Sequence, residues 1–418
     1  MYKTKQKNVP KRRFKEFQNA DAWEQRKLGE LGSVAMNKRI FKEQTTESGD
    51  VPFYKIGTFG GVADAYISND LYDEYTKKYP HPKQGDILIS ASGSIGRTVE
   101  YSGRREYFQD SNIVWLQHDD SIKNEFLKYF YEVVKWEGLE GSTIKRLYNK
   151  NILDTKILKP DTFEQTKIGA FFSKLDNIIT LHQRKCEKLK KIKKAYLSEL
   201  FPKNGEKFPK RRFAGFTDAW EQRKVSDLGE IFIGLVTTMT SHYTDKGSLL
   251  IRNSDIKDGY FKFGEEKIYL DEEFANQNST RKHKIGDVIT VHTGDIGTSA
   301  VISEKEADSI GFATIVTRPY KEKITSEYLC AFLNTEAHKN FAMNISTGDG
   351  RNNYNLKDYY KCIVPVPTIK EQIRISKFIE TLNNLISLHQ RKCEKLKKIK
   401  KAYLSEMFVS NYSSEGNV

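Results

Sequence analysis

The residues best suited to binding or catalysis in this sequence lie in two kinds of polar segment, each present twice. Glycine-rich segments follow short β-type runs at Ser92-Gly-Ser-Ile-Gly96 and Thr293-Gly-Asp-Ile-Gly297. Segments that contain Arg, Asn and Tyr lie further along, at 141–149 and 348–355. Arg and Asn side chains can form bidentate hydrogen bonds with the edges of guanine and adenine, and a tight glycine turn allows close backbone approach. This chemistry is typical of nucleic-acid recognition.

The glycine-rich segments do not have the form of a nucleotide-binding loop. A Walker loop requires a Lys followed by Ser or Thr, and a dinucleotide fingerprint requires three spaced glycines before a helix. Neither pattern is present, and the residues that follow, 97–101 and 298–302, have strand character. The sequence therefore predicts hairpin turns. Two interpretations stay open for these turns: a purely structural turn, or a loop that approaches DNA.

Two His–Cys pairs each resemble half of a metal site. His182 and Cys186 lie one helical turn apart, and so do His389 and Cys393. A zinc site needs about four converging ligands, and both pairs fall on an apolar seam where Cys packs as a small apolar residue. We therefore predict core packing and no metal. The motifs of amino-methyltransferases, AdoMet-binding strands and zinc peptidases are also absent, so the chain is predicted to be a binder and not an enzyme.

Composition favours a polyanionic partner. The chain has 418 residues and a net charge of +14, and Lys and Arg gain affinity for nucleic acid by releasing phosphate counterions. A membrane surface is the second candidate, although no apolar run has the length of a membrane-spanning helix. The N-terminal residues carry charge but no apolar core, unlike a secretory signal. The 4 Cys residues lack short spacings, which indicates reduced thiols and predicts a cytoplasmic location.

The chain contains an internal duplication, and each copy carries one set of these polar segments. Leu181–Phe201 reads LHQRKCEKLKKIKKAYLSELF, and Leu388–Phe408 differs from it only by Met407 in place of Leu200. The lead-in Pro-Lys-Arg-Arg-Phe occurs at 10–14 and 209–213, and Asp-Ala-Trp-Glu-Gln-Arg-Lys occurs at 21–27 and 218–224. Glu-Gln pairs recur at 164–165 and 371–372. The sequence therefore contains two copies of one domain-plus-helix unit.

Each copy is predicted to combine short strands and helices, near 124–136 in the first and 326–344 in the second, with one long closing helix. The long helix is expected from about Phe163 to Phe201, with capping boxes formed by Thr162 with Gln165 and by Thr368 with Glu371. At 1.5 Å per residue it is a rod of roughly 55–60 Å. Heptad spacing predicts an apolar seam on each helix, and the two seams are expected to bury each other in an antiparallel pair that acts as a spacer.

The predicted seam residues form the helix and partner interface: Leu175, Ile179, His182, Cys186, Leu189, Tyr196 and Leu200 in the first copy, and Leu382, Ile386, His389, Cys393, Leu396, Tyr403 and Met407 in the second. The outer face carries the lysine-rich stretch 188–194 and its copy 395–401. This stretch is either a solvated helix face or a surface that docks a partner or lies along phosphate, and both interpretations stay open.

The candidate DNA contacts come from the loops of the two domains. In the first domain they are Lys38, Arg39, Lys55, Thr58, Ser92, Ser94, Arg97, Lys145, Arg146, Tyr148 and Asn149. In the second domain they are Arg252, Asn253, Ser254, Thr293, Asp295, Thr298, Arg351, Asn352, Asn353 and Tyr354. An ordinary solvated loop is the alternative interpretation for each of these segments.

The order of the repeated motifs resembles that of the specificity subunits of Type I restriction–modification systems. The resemblance covers essentially the whole chain, and the duplicated helices most resemble those of staphylococcal members. It implies an α+β chain with a pseudo-twofold internal repeat, in which two mixed α/β target-recognition domains are joined by two long antiparallel helices that form a coiled-coil spacer. The expected bounds are 1–160 for the first domain, 161–202 for the central helix, 203–367 for the second domain and 368–418 for the C-terminal helix and tail.

The resemblance also implies partners. Each domain is expected to read one half of a split double-stranded DNA target, which should be asymmetric because the two domains differ. Two modification subunits are expected to dock on the chain, bind AdoMet and methylate a flipped adenine. Two restriction subunits that use ATP and Mg are expected to join them, so that no cofactor belongs to this chain. The alternatives are a stand-alone sequence-specific or architectural DNA-binding protein, or an enzyme with an unrecognised nuclease or transferase site.

Overall fold

The computed structural model describes residues 8–137, 145–203, 205–264, 266–346 and 353–409. The chain forms two compact units. Unit 1 combines the residues up to Leu181 with those from Lys392 onward, and unit 2 is the uninterrupted stretch His182–Arg391. Unit 1 is therefore built from both ends of the chain.

The described residues of unit 1 form three small sheets and several helices. Its strands are β1 (Glu24–Lys27), β2 (Gly32–Ala35), β3 (Val51–Tyr54), β4 (Tyr66–Ile67), β5 (Ile87–Ser90), β6 (Thr98–Glu100), β7 (Tyr107–Phe108), β8 (Ile113–His118) and β9 (Lys156–Lys159). Its helices are α1 (Leu28–Leu31), α2 (Asn69–Lys78), α3 (Asn124–Val133), α4 (Asn149–Asp154) and the first part of α5 (Thr162–Leu200). The sheets have the strand orders β2-β8-β5-β6, β4-β3-β7 and β1-β9.

Unit 2 repeats this plan with additions. Its strands are β10 (Glu221–Lys224), β11 (Gly229–Ile233), β12 (Tyr243–Thr244), β13 (Ser248–Arg252), β14 (Ile256–Lys257), β15 (Tyr260–Phe261), β16 (Tyr269–Leu270), β17 (Val288–Thr290), β18 (Ser299–Val301), β19 (Ile310–Phe312), β20 (Ile315–Pro319) and β21 (Ile363–Val366). Its helices are α6 (Glu272–Gln277), α7 (Ser326–Leu333), α8 (Glu336–Ile345), α9 (Leu356–Tyr359) and the first part of α10 (Ile369–Met407). The order β11-β20-β17-β18 matches that of the main sheet in unit 1, and β10-β21 matches β1-β9.

The two long helices run antiparallel inside each unit. In unit 1 the rings of Phe171 on α5 and Tyr403 on α10 lie 5.2 Å apart. In unit 2 the rings of Tyr196 on α5 and Phe378 on α10 lie 4.7 Å apart, so residue numbers rise along one helix as they fall along the other. The predicted fold class, two mixed α/β domains with two long antiparallel helices and an internal repeat, is confirmed. No helix in the described ranges is long and apolar enough to cross a membrane.

The predicted seam residues all lie on buried or half-buried faces of α5 and α10. The Nδ1 atoms of His182 and His389 lie 2.8 Å apart across the helix pair in unit 2. The lysine-rich stretches alternate in burial: Lys193 is 7% exposed and its Nζ lies 2.8 Å from Asp258, whereas Lys190 and Lys191 are exposed. In the second stretch the side chain of Lys400 is 14% exposed, and its Nζ lies 2.8 Å from both Glu132 and Asp176. Each stretch therefore combines a largely buried, ion-paired lysine with exposed lysines.

The starts of the long helices differ from the predicted capping boxes. Asp161, and not Thr162, caps α5, because its Oδ1 accepts hydrogen bonds from the backbone N–H groups of Phe163 and Glu164. Thr368 does cap α10 through its Oγ1. However, the glutamine and glutamate of the predicted boxes do not reach back to the cap. Gln165 donates to Ser121 O and Pro160 O, and Glu371 binds Arg212.

The helix predicted over 326–344 is interrupted. Asn334 separates α7 from α8, because its side chain accepts a hydrogen bond from Ser299 N at 3.0 Å and donates one to Ser299 O at 2.8 Å. Thr335 then caps α8 by accepting a hydrogen bond from His338 N. These side-chain bonds to β18 compete successfully with continuation of the helix.

Candidate nucleic-acid interface

The glycine-rich segments form hairpin turns, as the sequence predicted. The turn between β5 and β6 holds Gly93 at φ 66° and Gly96 at φ 80°. The turn between β17 and β18 holds Gly294 at φ 98° and Gly297 at φ 80°. A residue with a Cβ rarely adopts these positive φ values, which explains why glycine recurs at both turn positions.

In each unit the hairpin turn meets the polar loop that follows later in the sequence. Ser92 forms an isolated antiparallel bridge with Arg146, and Thr293 forms one with Asn353. A backbone hydrogen bond extends the contact in both units, from Leu147 N to Ala91 O at 2.8 Å and from Tyr354 N to His292 O at 2.9 Å. The structure thus brings together the two kinds of segment that the sequence singled out.

An asparagine holds the two segments together in unit 1. The Oδ1 of Asn112 accepts hydrogen bonds from Ser92 Oγ at 2.7 Å and from Arg146 Nη2 at 3.2 Å. The preceding residue, Ser111, has φ 60°, an unusual conformation for a residue with a Cβ. This strained turn directs Asn112 towards the hairpin. Sequence reasoning missed Asn112, since nothing in the local pattern marks it.

The remaining candidates of unit 1 adjoin the same surface. Ile56 N donates to Gln109 Oε1 at 2.9 Å, which fixes the turn that carries Lys55 and Thr58. Arg39 pairs with Asp110 at 2.8 Å. The exposed members of this group are Lys38, Arg39, Ser94, Arg97, Lys145, Arg146, Tyr148 and Asn149, while Lys55 and Thr58 are half-buried and Ser92 is buried. The result is a cationic surface in which arginine, lysine and amide groups face solvent together.

In unit 2 an asparagine at a different position, Asn253, ties the start of the hairpin turn to the segment before β20. The Oδ1 of Asn253 accepts a hydrogen bond from His292 N at 2.9 Å, and its Nδ2 donates to Phe312 O and Ala313 O at 3.3 Å. Ala313 has φ 48° and directly precedes Thr314 and β20, the place that Ser111 has before Asn112 and β8. In both units a residue with a positive φ therefore lies two positions before an inner strand of the main sheet, β8 or β20.

The exposed chemistry of unit 2 is less cationic. Thr293 Oγ1 donates to Asn353 Oδ1 at 3.1 Å. Burial lowers the pKa of the neighbouring His292, which favours the neutral imidazole. Asp295 and Ser254 are exposed, and Arg252, Asn253, Thr293 and Asn353 are half-buried. Carboxylate and amide groups match the edges of cytosine and adenine, whereas the arginines of unit 1 match guanine.

The structure corrects several sequence-predicted contacts in unit 2. Thr298 is 1% exposed and Tyr354 is 0% exposed, so neither side chain is available to DNA. Tyr354 belongs to the core and bonds His338. Arg252 donates from Nε and Nη2 to the buried Asp255, and this hydrogen bonding raises the pKa of its guanidinium. Arg351 and Asn352 lie outside the described residues.

No cluster of three or more His, Cys, Asp or Glu that could hold a metal occurs among the described residues. The four cysteines are free and buried. Burial raises the pKa of the Cys330 and Cys362 thiols to about 12, so these two are protonated and unreactive at neutral pH.

Comparisons with known proteins agree with this geometry. A family model described as the Type I restriction modification DNA specificity domain matches residues 20–191 and again 217–398. A proposed type I restriction enzyme specificity subunit of Haemophilus influenzae is 55% identical over 152 residues, which is 36% of this chain and 40% of that relative. The type I restriction enzyme MjaVIII specificity subunit of Methanocaldococcus jannaschii is 22% identical over 329 residues, or 77% of this chain and 75% of that one.

One solved structure shares the fold along the whole chain. The crystal structure of the S subunit of a Type I restriction–modification system from M. genitalium has a TM-score of 0.63 with 15% sequence identity. The match covers 97% of this chain and 100% of that one. The chain spans less than half the length of the Haemophilus relative, but it aligns with this S subunit from end to end.

Proposed function

The chain belongs to the Type I restriction–modification specificity subunits, and we propose that its two units each read one half of an asymmetric bipartite DNA target. Two matches of the DNA specificity model, one in each repeat, show that the chain belongs to this family. They confirm the resemblance that the repeated motifs indicated. The function of the chain is thus DNA specificity within a restriction–modification system, and the assignment of reading residues is our proposal.

One observation carries the proposal of two different readers. Both units place a glycine hairpin turn against a polar loop through an equivalent bridge, Ser92 with Arg146 and Thr293 with Asn353. The scaffold is the same, whereas the exposed side chains on it differ in charge and hydrogen-bonding type. Base edges are distinguished by the pattern of donors and acceptors that they meet. Two readers with different patterns should therefore recognise different half-sites.

We assign the contacts by exposure. In unit 1 the base-reading candidates are Arg97, Arg146 and Asn149, because their side chains are exposed beside the turn. The exposed lysines of the same surface suit phosphate contacts, which position the protein without reading sequence. In unit 2 the corresponding candidates are the exposed Asp295 and, beside it, the half-buried Thr293 and Asn353. The carboxylate of Asp295 can accept a hydrogen bond from a cytosine amino group.

The partners and cofactors follow from family membership as proposals. The duplicated helices, with their exposed lysine faces, are proposed to dock two copies of a methyltransferase subunit, and restriction subunits are proposed to join that complex. AdoMet, ATP and Mg are proposed to belong to those partners, so this chain contributes recognition and no catalytic group. A protein that reads the DNA of its own cell, with four free buried cysteines, is proposed to work in the cytoplasm.

The test maps methylated adenines in a genome where the chain is expressed with its methyltransferase partner. The wild type should give one bipartite motif with unlike halves. A chimera should then carry residues 10–161 in place of 209–368, because both junctions fall at matching points, the Pro of the lead-in and the N-cap of the long helix. It should methylate a palindromic target built from the first half-site.

Three results would contradict the proposal, one from this mapping and two from assays of the isolated chain. An unchanged motif in the chimera would mean that the units do not read separately. Tight sequence-specific binding by the isolated chain without methylation in the presence of the partner would favour a stand-alone DNA-binding protein. Crosslinking of AdoMet to the isolated chain would favour an enzyme.

A further inference from the structure

The strands β1 and β10 present the same exposed residues on two units that otherwise differ. Both strands read Glu-Gln-Arg-Lys within the duplicated Asp-Ala-Trp-Glu-Gln-Arg-Lys. Trp23 and Trp220 are each 2% exposed and lie in the two cores, so packing explains why they are retained. The four residues that follow are exposed in both strands, and packing therefore does not explain their identity.

The neighbouring strands do not require this identity either. β1 pairs with Lys156-Ile-Leu-Lys159 and β10 pairs with Ile363-Val-Pro-Val366, in matching antiparallel registers. The partner sequences have little in common, because backbone hydrogen bonds hold the pairing. In each sheet no other described strand pairs with the second edge of β1 or β10. An edge of this kind can accept an extended segment of another protein.

The internal side-chain contacts of the two strands also differ. Lys27 pairs with Asp154 at 3.0 Å in unit 1, whereas in unit 2 Gln222 donates to Glu206 O at 3.0 Å. The contact that recurs is the Arg–Glu pair within each strand, at 2.7 Å and 2.6 Å. Exposed ion pairs contribute little to stability, so this pair does not account for four identical positions.

We propose that the exposed Glu-Gln-Arg-Lys side chains of β1 and β10 form a duplicated docking surface for one protein that binds in two copies, the methyltransferase subunit. This inference rests on the proposed function and adds a contact site outside the long helices. Identity at exposed positions is expected where the same partner surface must be met twice. The reading surfaces, which meet different DNA, show the opposite pattern: Arg146 in one unit and Asn353 in the other.

The charges on this surface suit a protein better than DNA. In unit 1 the carboxylates of Glu24, Glu30 and Asp154 lie within 3.5 Å of Arg26 or Lys27. In unit 2 Arg223 pairs with Glu221, and these two residues, with Lys207, Gln222 and Asp227, line an open surface depression of about 500 Å³. Carboxylates repel phosphates, while a mixed polar surface beside a concavity resembles a protein interface with side-chain anchors.

The experiment compares matched double variants within the purified complex. Arg26→Glu with Lys27→Glu alters unit 1, and Arg223→Glu with Lys224→Glu alters unit 2. Lys42→Glu with Lys77→Glu is the control, because it makes the same charge change at exposed lysines of unit 1 outside the duplicated strand. Native mass spectrometry counts methyltransferase subunits per chain, and titration measures their affinity. Circular dichroism melting verifies that each variant is folded.

Each strand variant should weaken one of the two methyltransferase sites about tenfold or more, and the fourfold variant should weaken both, while the control retains both. Retention of two subunits at wild-type affinity by the fourfold variant would overturn the inference. Normal methyltransferase binding combined with weaker DNA binding and a shallower salt dependence would also overturn it, because the strands would then contact phosphates. A wild-type chain that binds no methyltransferase would instead contradict the proposed function itself.

Discussion

Arg13 and Arg212 occupy the same place in the repeat, and each donates two hydrogen bonds to a glutamate at the start of a long helix. The side chains of Glu164 and Glu371 are each 1% exposed. A buried charge that loses its partner is destabilising because neither water nor another group compensates it. The recurring Glu of the Glu-Gln motif is therefore a long-range contact with the lead-in, which the local spacing of a capping box did not reveal.

The substitution Glu164→Gln should destabilise unit 1 strongly. It keeps the shape of the side chain but removes the carboxylate that pairs directly with the Arg13 guanidinium, so we expect the free energy of unfolding to fall by about 3 kcal/mol. Urea unfolding followed by circular dichroism measures this change. Glu406→Gln is the control, since its partner Arg12 and Glu406 itself are 51% and 38% exposed, and it should have almost no effect. Equal effects of the two substitutions would contradict the importance of burial.

His338 should make unit 2 sensitive to acid. Its side chain bonds Leu333 O and Tyr354 Oη, and burial lowers its pKa to about 4, below the value of about 6.5 in an unfolded chain. The unfolded state then binds the proton more readily, so the stabilising contribution is complete above pH 6.5 and is lost as the pH falls towards 4. At pH 5 the expected loss is about 2 kcal/mol.

The measurement for His338 compares urea unfolding at pH 7 and pH 5 in the wild type and in His338→Gln. The glutamine of the variant does not titrate. Between pH 7 and pH 5 the free energy of unfolding of the variant should therefore fall by about 2 kcal/mol less than that of the wild type. His283, whose pKa burial also lowers, is present in both proteins and its contribution cancels. An identical pH dependence in the two proteins would contradict the assignment.

At the scale of elements, local sequence patterns predicted the turns and helices, because interactions between residues close in sequence determine them. Glycines at spaced positions predicted the hairpins at 92–96 and 293–297, and the heptads predicted the long helices. The sequence did not predict the parallel pairing of β3 with β7, in which Phe53 lies opposite Tyr107, because no local signal links residues so far apart. Tyr354 was assigned to DNA because its neighbours are polar, yet tertiary packing buries it.

Gly169 is the one glycine inside α5, and the structure explains it. A Cβ at this position would lie 2.4 Å from Glu125 Cβ and 2.9 Å from the Glu125 carbonyl carbon. Helix propensity alone favours Ala over Gly by about 1 kcal/mol. The contact with the start of α3 should outweigh that gain, because backbone atoms cannot move aside easily.

We therefore expect Gly169→Ala to destabilise unit 1 by about 1–3 kcal/mol, as other overpacked sites do. Thermal unfolding of the variant and the wild type checks this prediction. Ser198→Ala, at an exposed site of the same helix, should leave the melting temperature unchanged or raise it slightly. A higher melting temperature for Gly169→Ala would show that propensity prevails and that α3 shifts.

At the scale of the whole molecule, two nearly identical helix ends stabilise different units. Phe201, at the end of α5, packs against Trp220, Tyr328 and Phe332 of unit 2. Phe408, at the end of α10, packs against Trp23, Phe126 and Phe172 of unit 1. The first recognition unit therefore depends on residues from the far end of the chain. The duplication indicated two equivalent helices, but only the contacts show which unit each helix end completes.

This arrangement predicts that equivalent substitutions in the two copies of the repeated segment destabilise different units. Phe408→Ala should destabilise unit 1 by about 3–5 kcal/mol, the usual cost of removing a buried aromatic ring, and Phe201→Ala should do the same to unit 2. Hydrogen exchange followed by mass spectrometry can report on each unit separately, through the amides of α3 in unit 1 and of α7 in unit 2. Phe408→Ala should accelerate exchange in α3 while α7 stays protected, and Phe201→Ala should do the reverse. Loss of protection in both helices with either substitution would mean that the units unfold as one, and their separate stabilities would not be defined.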